Sequence, residues 1–193
     1  LQAPEQIEVD SLQALASGYL HAMRTKLGRE PNVLVGWSYG AAVAAEVARM
    51  LHGCGRAVRL VLIDPVYGAD FAVEDLSALM VMLAGEHQIV LPENWEALDE
   101  PAHIEAFVVG AVQAGIIAEA MPTDVARQWL TRIFRLLNLL AEHRIGRSIP
   151  APILWIEADR HPDHWTPAVR EWADWKAHAQ TLTVTATHWQ LMA

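Results

Sequence analysis

A serine between two glycines is the feature of this 193-residue sequence that is best suited to chemistry. Gly36-Trp37-Ser38-Tyr39-Gly40 fits the pattern G-x-S-x-G, and a serine in such a turn can attack a carbonyl carbon once a base takes its proton. We expect glycine to be needed on both sides, because a side chain at either position would collide with the adjoining strand or helix. The backbone N–H of Tyr39 is expected to donate to the oxyanion of an acyl transfer. One alternative is a glycine-bounded strand-to-helix turn with an incidental serine. Another is a phosphate-binding loop, but its lysine is missing.

The base and the acid for this serine must come later in the chain. For a nucleophile of this kind the order is serine, acid, histidine, and His188 follows the last predicted strand. Two carboxylates, Asp64 and Asp159, each end a predicted strand and could both reach the edge of the sheet where the serine lies. Either could instead cap the turn that follows it. The residues alone leave both open.

Neither metal nor thiol chemistry is predicted. His161 and His164 share a loop with Asp159 and Asp163, but their spacing matches no standard ligand pattern, so solvated histidines are expected. Cys54, the only cysteine, cannot form a disulfide within the chain and follows a helix in a glycine-flanked turn. A reducing compartment is the natural interpretation.

The elements that must position these residues alternate along the chain. The runs at 33–35 and 58–63 are predicted to be buried parallel strands. Further strands are predicted at 153–156 and 182–184, with helices at 11–27, 40–52 and 167–178. Residues 68–148 lack a convincing strand and contain three helical stretches, at about 71–84, 101–119 and 123–143. This order predicts an α/β fold, a parallel sheet flanked by helices with one large helical insertion.

Two predicted helices carry further expectations. Asp10 or Ser11 is the expected N-cap of the first helix, and Gly28 its end. In the second, Glu46 and Arg49 are expected on the solvent side.

Composition excludes several classes of protein. The net charge is −9, and the 14 basic residues form no cluster, so nucleic acid and anionic membranes are not expected partners. Hydrophobic residues make up 53%, which argues against disorder. No apolar run reaches the roughly 18 residues of a membrane span, and acidic residues stand where a signal peptide would be basic and apolar. A soluble, cytoplasmic protein is predicted.

Longer stretches of the sequence resemble one family. Residues 33–41 resemble the "L-x-G-W-S-x-G-G" elbow of thioesterase domains that terminate nonribosomal peptide or polyketide synthetases, and residues 186–192 are similar to their "G-x-H-x-x-M-L" segment. Ala41 and Ala186 stand where that family commonly has glycine. The likeness also covers residues 11–19, 44–48, 55 and 60–64.

The resemblance implies an α/β-hydrolase with a defined site. Ser38 would attack a peptidyl or acyl thioester on the phosphopantetheine arm of a carrier protein domain, with His188 as general base and then general acid. Asp64 would orient His188, which favours it over Asp159. Residues 68–148 would form a mobile lid over the acyl chain. No metal or redox cofactor is implied, and release would occur by hydrolysis or macrocyclisation.

Family members have several strands before the position of Leu1 and a helix after His188. Residues 1–193 are therefore expected to be one domain that is incomplete at both ends, with N-terminal strands missing. A stand-alone editing (type II) thioesterase usually has histidine at position 37, so Trp37 argues against it. The same fold would also suit a catalytically inactive carrier-binding module or a general esterase. Asp10-Ser11-Leu12 resembles a phosphopantetheine attachment site, but an N-cap explains it better.

Overall fold

The computed structural model describes residues 9–66, 72–161 and 169–192, the last without the side chains of 169–171. Within these ranges, two short 3₁₀ helices, Trp95–Ala97 and Trp189–Met192, accompany the regular elements. In chain order the α-helices and β-strands are α1 (Leu12–Leu27), β1 (Val33–Trp37), α2 (Tyr39–Gly53), β2 (Arg59–Ile63), α3 (Leu76–His87), α4 (Glu100–Gln113), α5 (Thr123–Glu142), β3 (Ile153–Arg160), α6 (Val169–Ala177) and β4 (Gln180–Thr187).

The four strands form one parallel sheet in the order β1-β2-β3-β4. Trp37, Ile63, Ile156 and Leu182 lie side by side across it. Because the strands are parallel, their carboxyl ends meet at one edge, and Ser38, Asp64 and His188 all follow strand ends there. The predicted parallel sheet flanked by helices is confirmed.

One core lies between the sheet and its helices. Leu34, Leu60 and Leu62 are buried together with residues of α1, α2 and α6. On the other face of β1, Val33 and Val35 are 50% and 63% exposed. The prediction that this strand is buried is therefore right for one face only, because α1 and α2 belong to the core on the side of Leu34.

The first helix begins and ends as predicted. The Ser11 side chain caps α1 by accepting from the N–H of Ala14 at 3.1 Å. Gly28 ends the helix in the left-handed region, with φ 63°.

The prediction that Glu46 lies on the solvent side of α2 is wrong. The residue is buried, and its Oε1 lies 3.1 Å from Nε2 of His143 and 3.2 Å from Nη1 of Arg49. A buried carboxylate needs such partners, and His143, just after α5, lies too far along the chain for helical periodicity to reveal it.

Residues 72–138 form a second compact unit with their own core. The predicted helix at 101–119 is too long: α4 ends at Gln113 because Gly115 takes φ 72° and breaks the repeat. Inside the unit is a cavity of about 50 Å³ lined almost entirely by apolar side chains, with His87 also in its wall. The role of residues 68–148 as a lid stays a prediction, and residues 67–71 lie outside the described part of the chain. Among the described residues, no helix combines the length and apolarity of a membrane span.

Candidate active site

Ser38 occupies a strained turn between β1 and α2. Its backbone has φ 54° and ψ −124°, a region that residues other than glycine rarely adopt. The N–H of Ser38 donates to the carbonyl of Ile63 at 2.9 Å, which ties the turn to the end of β2. Such a turn projects a side chain from the edge of the sheet, as a nucleophile requires.

Only one of the two glycines beside Ser38 is required by space. A Cβ on Gly36 would lie 2.3 Å from the carbonyl oxygen of Gly40 and 2.6 Å from Cα of Ala41, so a side chain there cannot fit. A Cβ on Gly40 would meet nothing within 4 Å. The expectation of a collision is confirmed at position 36, because the backbone of the first turn of α2 lies against that residue. It is wrong at position 40, because a Cβ there would point into open space.

Tyr39 is the first residue of α2, so its N–H has no partner four residues earlier in the helix. The positive end of the helix dipole lies at the same place, and both features suit an oxyanion. Burial raises the pKa of the Tyr39 phenol, which therefore stays protonated and cannot serve as a base near neutral pH.

Asp64 and His188 form a buried pair. Oδ2 of Asp64 lies 2.8 Å from Nδ1 of His188, and the two residues are only 4% and 2% exposed. Asp64 takes φ 42° directly before Pro65, although a residue before proline favours extended backbone. This strained conformation aims the carboxylate across the end of β3.

Aromatic rings surround the imidazole of His188. It stacks on Trp37, the neighbour of Ser38, with ring centroids 4.9 Å apart and planes at 24°. Trp189 meets the same imidazole edge-on at 5.1 Å. His188 is thus held beside the turn that carries Ser38, with its ring stacked on the indole of Trp37.

The Asp64 carboxylate has two further donors from β3 and the residue after it. The N–H of Ala158 donates to Oδ1 at 3.1 Å, and Nε2 of His161 lies 3.0 Å from each of the two oxygens. Burial by itself would raise the pKa of Asp64, but the hydrogen bonds from His188, Ala158 and His161 outweigh it and hold the pKa below its ordinary value. Asp64 is therefore ionised at neutral pH.

Asp159, the other candidate acid, lies elsewhere. Its Oδ1 accepts from the N–H of Ala186 at 3.1 Å, where the pairing of β3 with β4 shifts register between Ala158 and Arg160. A bulge leaves a backbone N–H without its ladder partner, and Asp159 satisfies it. The structure thus brings Asp64, and not Asp159, to the imidazole of His188.

The family follows from comparison with known proteins. The model of the alpha/beta hydrolase family matches residues 4–192. The chain belongs to this family. A comparison with curated protein sequences finds no match.

Solved structures share the hydrolase fold. One is a four-domain nonribosomal peptide synthetase bound to AMP and glycine, at 20% identity and TM-score 0.77; the match covers 100% of this chain and 16% of that one. Another is the NocB thioesterase domain, as a covalent complex with a fluorophosphonate nocardicin G analog, at 19% identity and TM-score 0.61, covering 98% of this chain and 71% of that one. A third is BorB, a type II thioesterase from the borrelidin biosynthetic cluster, at 18% identity and TM-score 0.58; the match covers 95% of this chain and 68% of that one. At these identities the likeness shows the shared fold.

Sequence reasoning about this hydrolase missed a capping box around His188. Thr187 N–H donates to Oε1 of Gln190 at 2.9 Å, and Gln190 N–H donates to Oγ1 of Thr187 at 3.4 Å. The reciprocal pair fixes the backbone at the start of the 3₁₀ helix and so orients His188. The pattern T-x-x-Q is visible in the sequence and could have been found.

Sequence reasoning also missed the position of His161. This residue was expected to be a solvated loop histidine, but it contacts Asp64. No group of three possible metal ligands occurs in the ranges that the structure describes, and His164 and Asp163 lie outside those ranges.

Proposed function

We propose that this hydrolase is a serine thioesterase that acts through an acyl-enzyme on Ser38. The observation that carries the proposal is the buried Asp64–His188 pair, whose imidazole stacks on the residue next to a serine in a strained strand-to-helix turn. Because Nδ1 of His188 is engaged by Asp64, we assign the transfer of the Ser38 proton to Nε2.

The first half-reaction forms the acyl-enzyme. Nε2 of His188 takes the proton of Ser38 while Oγ attacks the thioester carbon, and the N–H of Tyr39 donates to the oxyanion that forms. The carbon–sulfur bond then breaks, and His188 returns the proton to the leaving thiolate. Ionised Asp64 stabilises the imidazolium during both proton transfers.

The second half-reaction releases the acyl group. Water or a nucleophile within the substrate gives a proton to His188 and attacks the ester carbon, and Ser38 leaves with that proton. Water yields a linear acid, and an internal nucleophile yields a macrocycle. These steps need only the three side chains, the backbone N–H of Tyr39 and the attacking group, and they call for no metal or redox cofactor.

We place the substrate on the phosphopantetheine arm of a peptidyl or acyl carrier protein. This rests on the resemblance of residues 33–41 and 186–192 to synthetase thioesterases and on a shared fold with such domains. Chain termination at the end of a nonribosomal peptide or hybrid polyketide assembly line is the form that Trp37 favours. Editing of misloaded carriers is the second form, and the fold is shared with a type II enzyme as well.

The test is intact-protein mass spectrometry after mixing with an acyl-N-acetylcysteamine thioester. We expect an acyl adduct on the wild type and none on Ser38→Ala. Ser17→Ala removes an exposed serine on α1 and should keep the adduct. An adduct that persists on Ser38→Ala, or an intact thioester with the wild type, would contradict the proposal.

The released product separates the forms of the reaction. Chromatography of the product distinguishes linear acid from macrocycle. A comparison of peptidyl with acetyl carrier protein as substrate distinguishes chain termination from editing, because an editing enzyme should clear the short acyl group faster.

A further inference from the structure

His161 contacts the acid of the proposed catalytic pair but has no part in the steps above. It follows the last residue of β3, three positions after Ala158, so the end of one strand supplies two donors to the Asp64 carboxylate. Because a carboxylate accepts and does not donate when ionised, Nε2 of His161 carries the proton in this contact.

The three donors approach the carboxylate at different points. Ala158 N–H is on Oδ1, Nδ1 of His188 is on Oδ2, and Nε2 of His161 lies 3.0 Å from both oxygens. The donors from Ala158 and His188 hold one oxygen each and already limit rotation of the carboxylate about its Cβ–Cγ bond. A third donor, shared equally between the two oxygens, opposes that rotation further and keeps Oδ2 directed at His188.

We propose that His161 is a positioning residue that clamps the Asp64 carboxylate and draws part of its charge away from His188. The proposal rests on the proposed function, because it concerns the acid of that reaction. The His161 side chain is 37% exposed, whereas Asp64 and His188 are buried.

Removing the clamp has two expected effects, one on the rate and one on the pH dependence. Asp64 becomes freer to turn away from His188, which lowers the rate of proton transfer. The same carboxylate then holds the proton on His188 more strongly, because it has one donor fewer to share its charge with. A variant without the clamp should therefore be slower and should lose activity at a higher pH on the acid side.

The charged groups of β3 have partners of their own. Asp159 lies 3.6 Å from Arg160, Arg160 also donates to Gln190 after β4, and Glu157 accepts from Lys176 of α6. The neighbouring strands contribute Asp64 after β2 and His188 after β4. None of these differs between the variants described next.

The test compares His161→Leu, which removes the donor, with His161→Gln, whose Nε2 can reach a similar place. The leucine variant should lose about ten-fold in kcat for thioester hydrolysis, the size of one hydrogen bond to a charged group, with KM within about two-fold. The acid limb of its kcat profile should move up by about half a pH unit. The glutamine variant should recover a large part of the lost kcat.

His178→Leu is the matched control. Nδ1 of His178 lies 3.8 Å from Oδ1 of Asp174, so this variant also removes a histidine beside a carboxylate. His178 follows α6 and precedes the amino end of β4, whereas the proposed site lies at the carboxyl ends of the strands. Its kcat and pH profile should equal those of the wild type.

A readout that needs no turnover separates this proposal from the proposed function. The proton resonance of His188 Nδ1–H reports its hydrogen bond to Asp64, and it should shift in His161→Leu and not in His178→Leu. If wild type shows no Ser38-dependent turnover, the proposed function fails and this resonance alone decides the clamp. An unshifted resonance overturns it.

Two further outcomes would overturn the clamp where turnover is measured. The first is His161→Leu with the kcat and pH profile of the wild type. The second is an equal loss of kcat in the leucine and glutamine variants with an unmoved acid limb, which would make His161 merely structural. If the leucine variant does not fold, His161→Asn, whose amide is too short to reach both oxygens, replaces it.

Discussion

Replacing Asp64 by asparagine tests which of the two candidate acids, Asp64 or Asp159, acts with His188. The asparagine side chain would keep the volume and the acceptor for Ala158 N–H but remove the negative charge 2.8 Å from Nδ1 of His188. Its NH₂ group can also donate to Nδ1, which would place the imidazole proton on Nε2, the nitrogen that receives the proton of Ser38 in the proposed reaction.

The size of the effect follows from the geometry. Two unit charges about 4 Å apart at an effective dielectric constant of about 20 attract by about 4 kcal/mol, and losing that attraction in the transition state costs about 10³ in rate. The unsuitable tautomer adds to this, and the same change in a Ser-His-Asp protease costs about 10⁴ in kcat. We expect Asp64→Asn to lose between about 10³ and 10⁴ in kcat.

The assay is kcat for hydrolysis of an acyl-N-acetylcysteamine thioester, with Asp159→Asn as the matched control. That variant keeps a carbonyl acceptor for the N–H of Ala186, so its kcat should stay within about three-fold of the wild type. A loss in Asp159→Asn as large as that in Asp64→Asn would refute the assignment of the acid, and so would an Asp64→Asn enzyme with near-normal kcat.

Three further predictions concern stability and the site backbone. Gly36→Ala should lower the free energy of unfolding by several kcal/mol in urea titrations, because its Cβ meets backbone, whereas Gly40→Ala should be neutral or stabilising by up to about 1 kcal/mol; equal effects would contradict the geometry. Burial lowers the pKa of His87 below 6.5, so the unfolded state binds the proton more tightly and the free energy of unfolding should fall as pH drops through that value. His87→Gln should reduce that dependence in urea titrations at about pH 7.5 and 5.5, and an unchanged slope would count against it. Gln190→Ala opens the capping box and should lower kcat several-fold with the fold retained by circular dichroism, while an unaltered kcat would show that the box does not orient His188.

Local patterns along the chain predicted most of the sheet unit. The position of the G-x-S-x-G turn between β1 and α2 could be predicted because short apolar runs and glycines are local signals. The limits of α1 at Ser11 and Gly28 could be predicted for the same reason. Where local signals were weak the boundaries moved: α4 ends at Gln113, six residues before its predicted end.

Contacts between distant residues could not be predicted in this way. The burial of Glu46 depends on His143, 97 residues later, and the clamp on Asp64 depends on His161, also 97 residues later. The sequence around Glu46 and the sequence around His161 both favour a solvated position for the residue.

The sequence by itself determined the strand–helix order, the strained serine turn and a late histidine after the last strand, because each depends on a few adjacent residues. Only the tertiary structure decided which carboxylate meets His188. Asp64 and Asp159 end neighbouring parallel strands and so lie at the same edge of the sheet. The choice between them came from a positive φ at Asp64 and from a register shift that gives Asp159 to the backbone of Ala186, and neither is written in the spacing of residues.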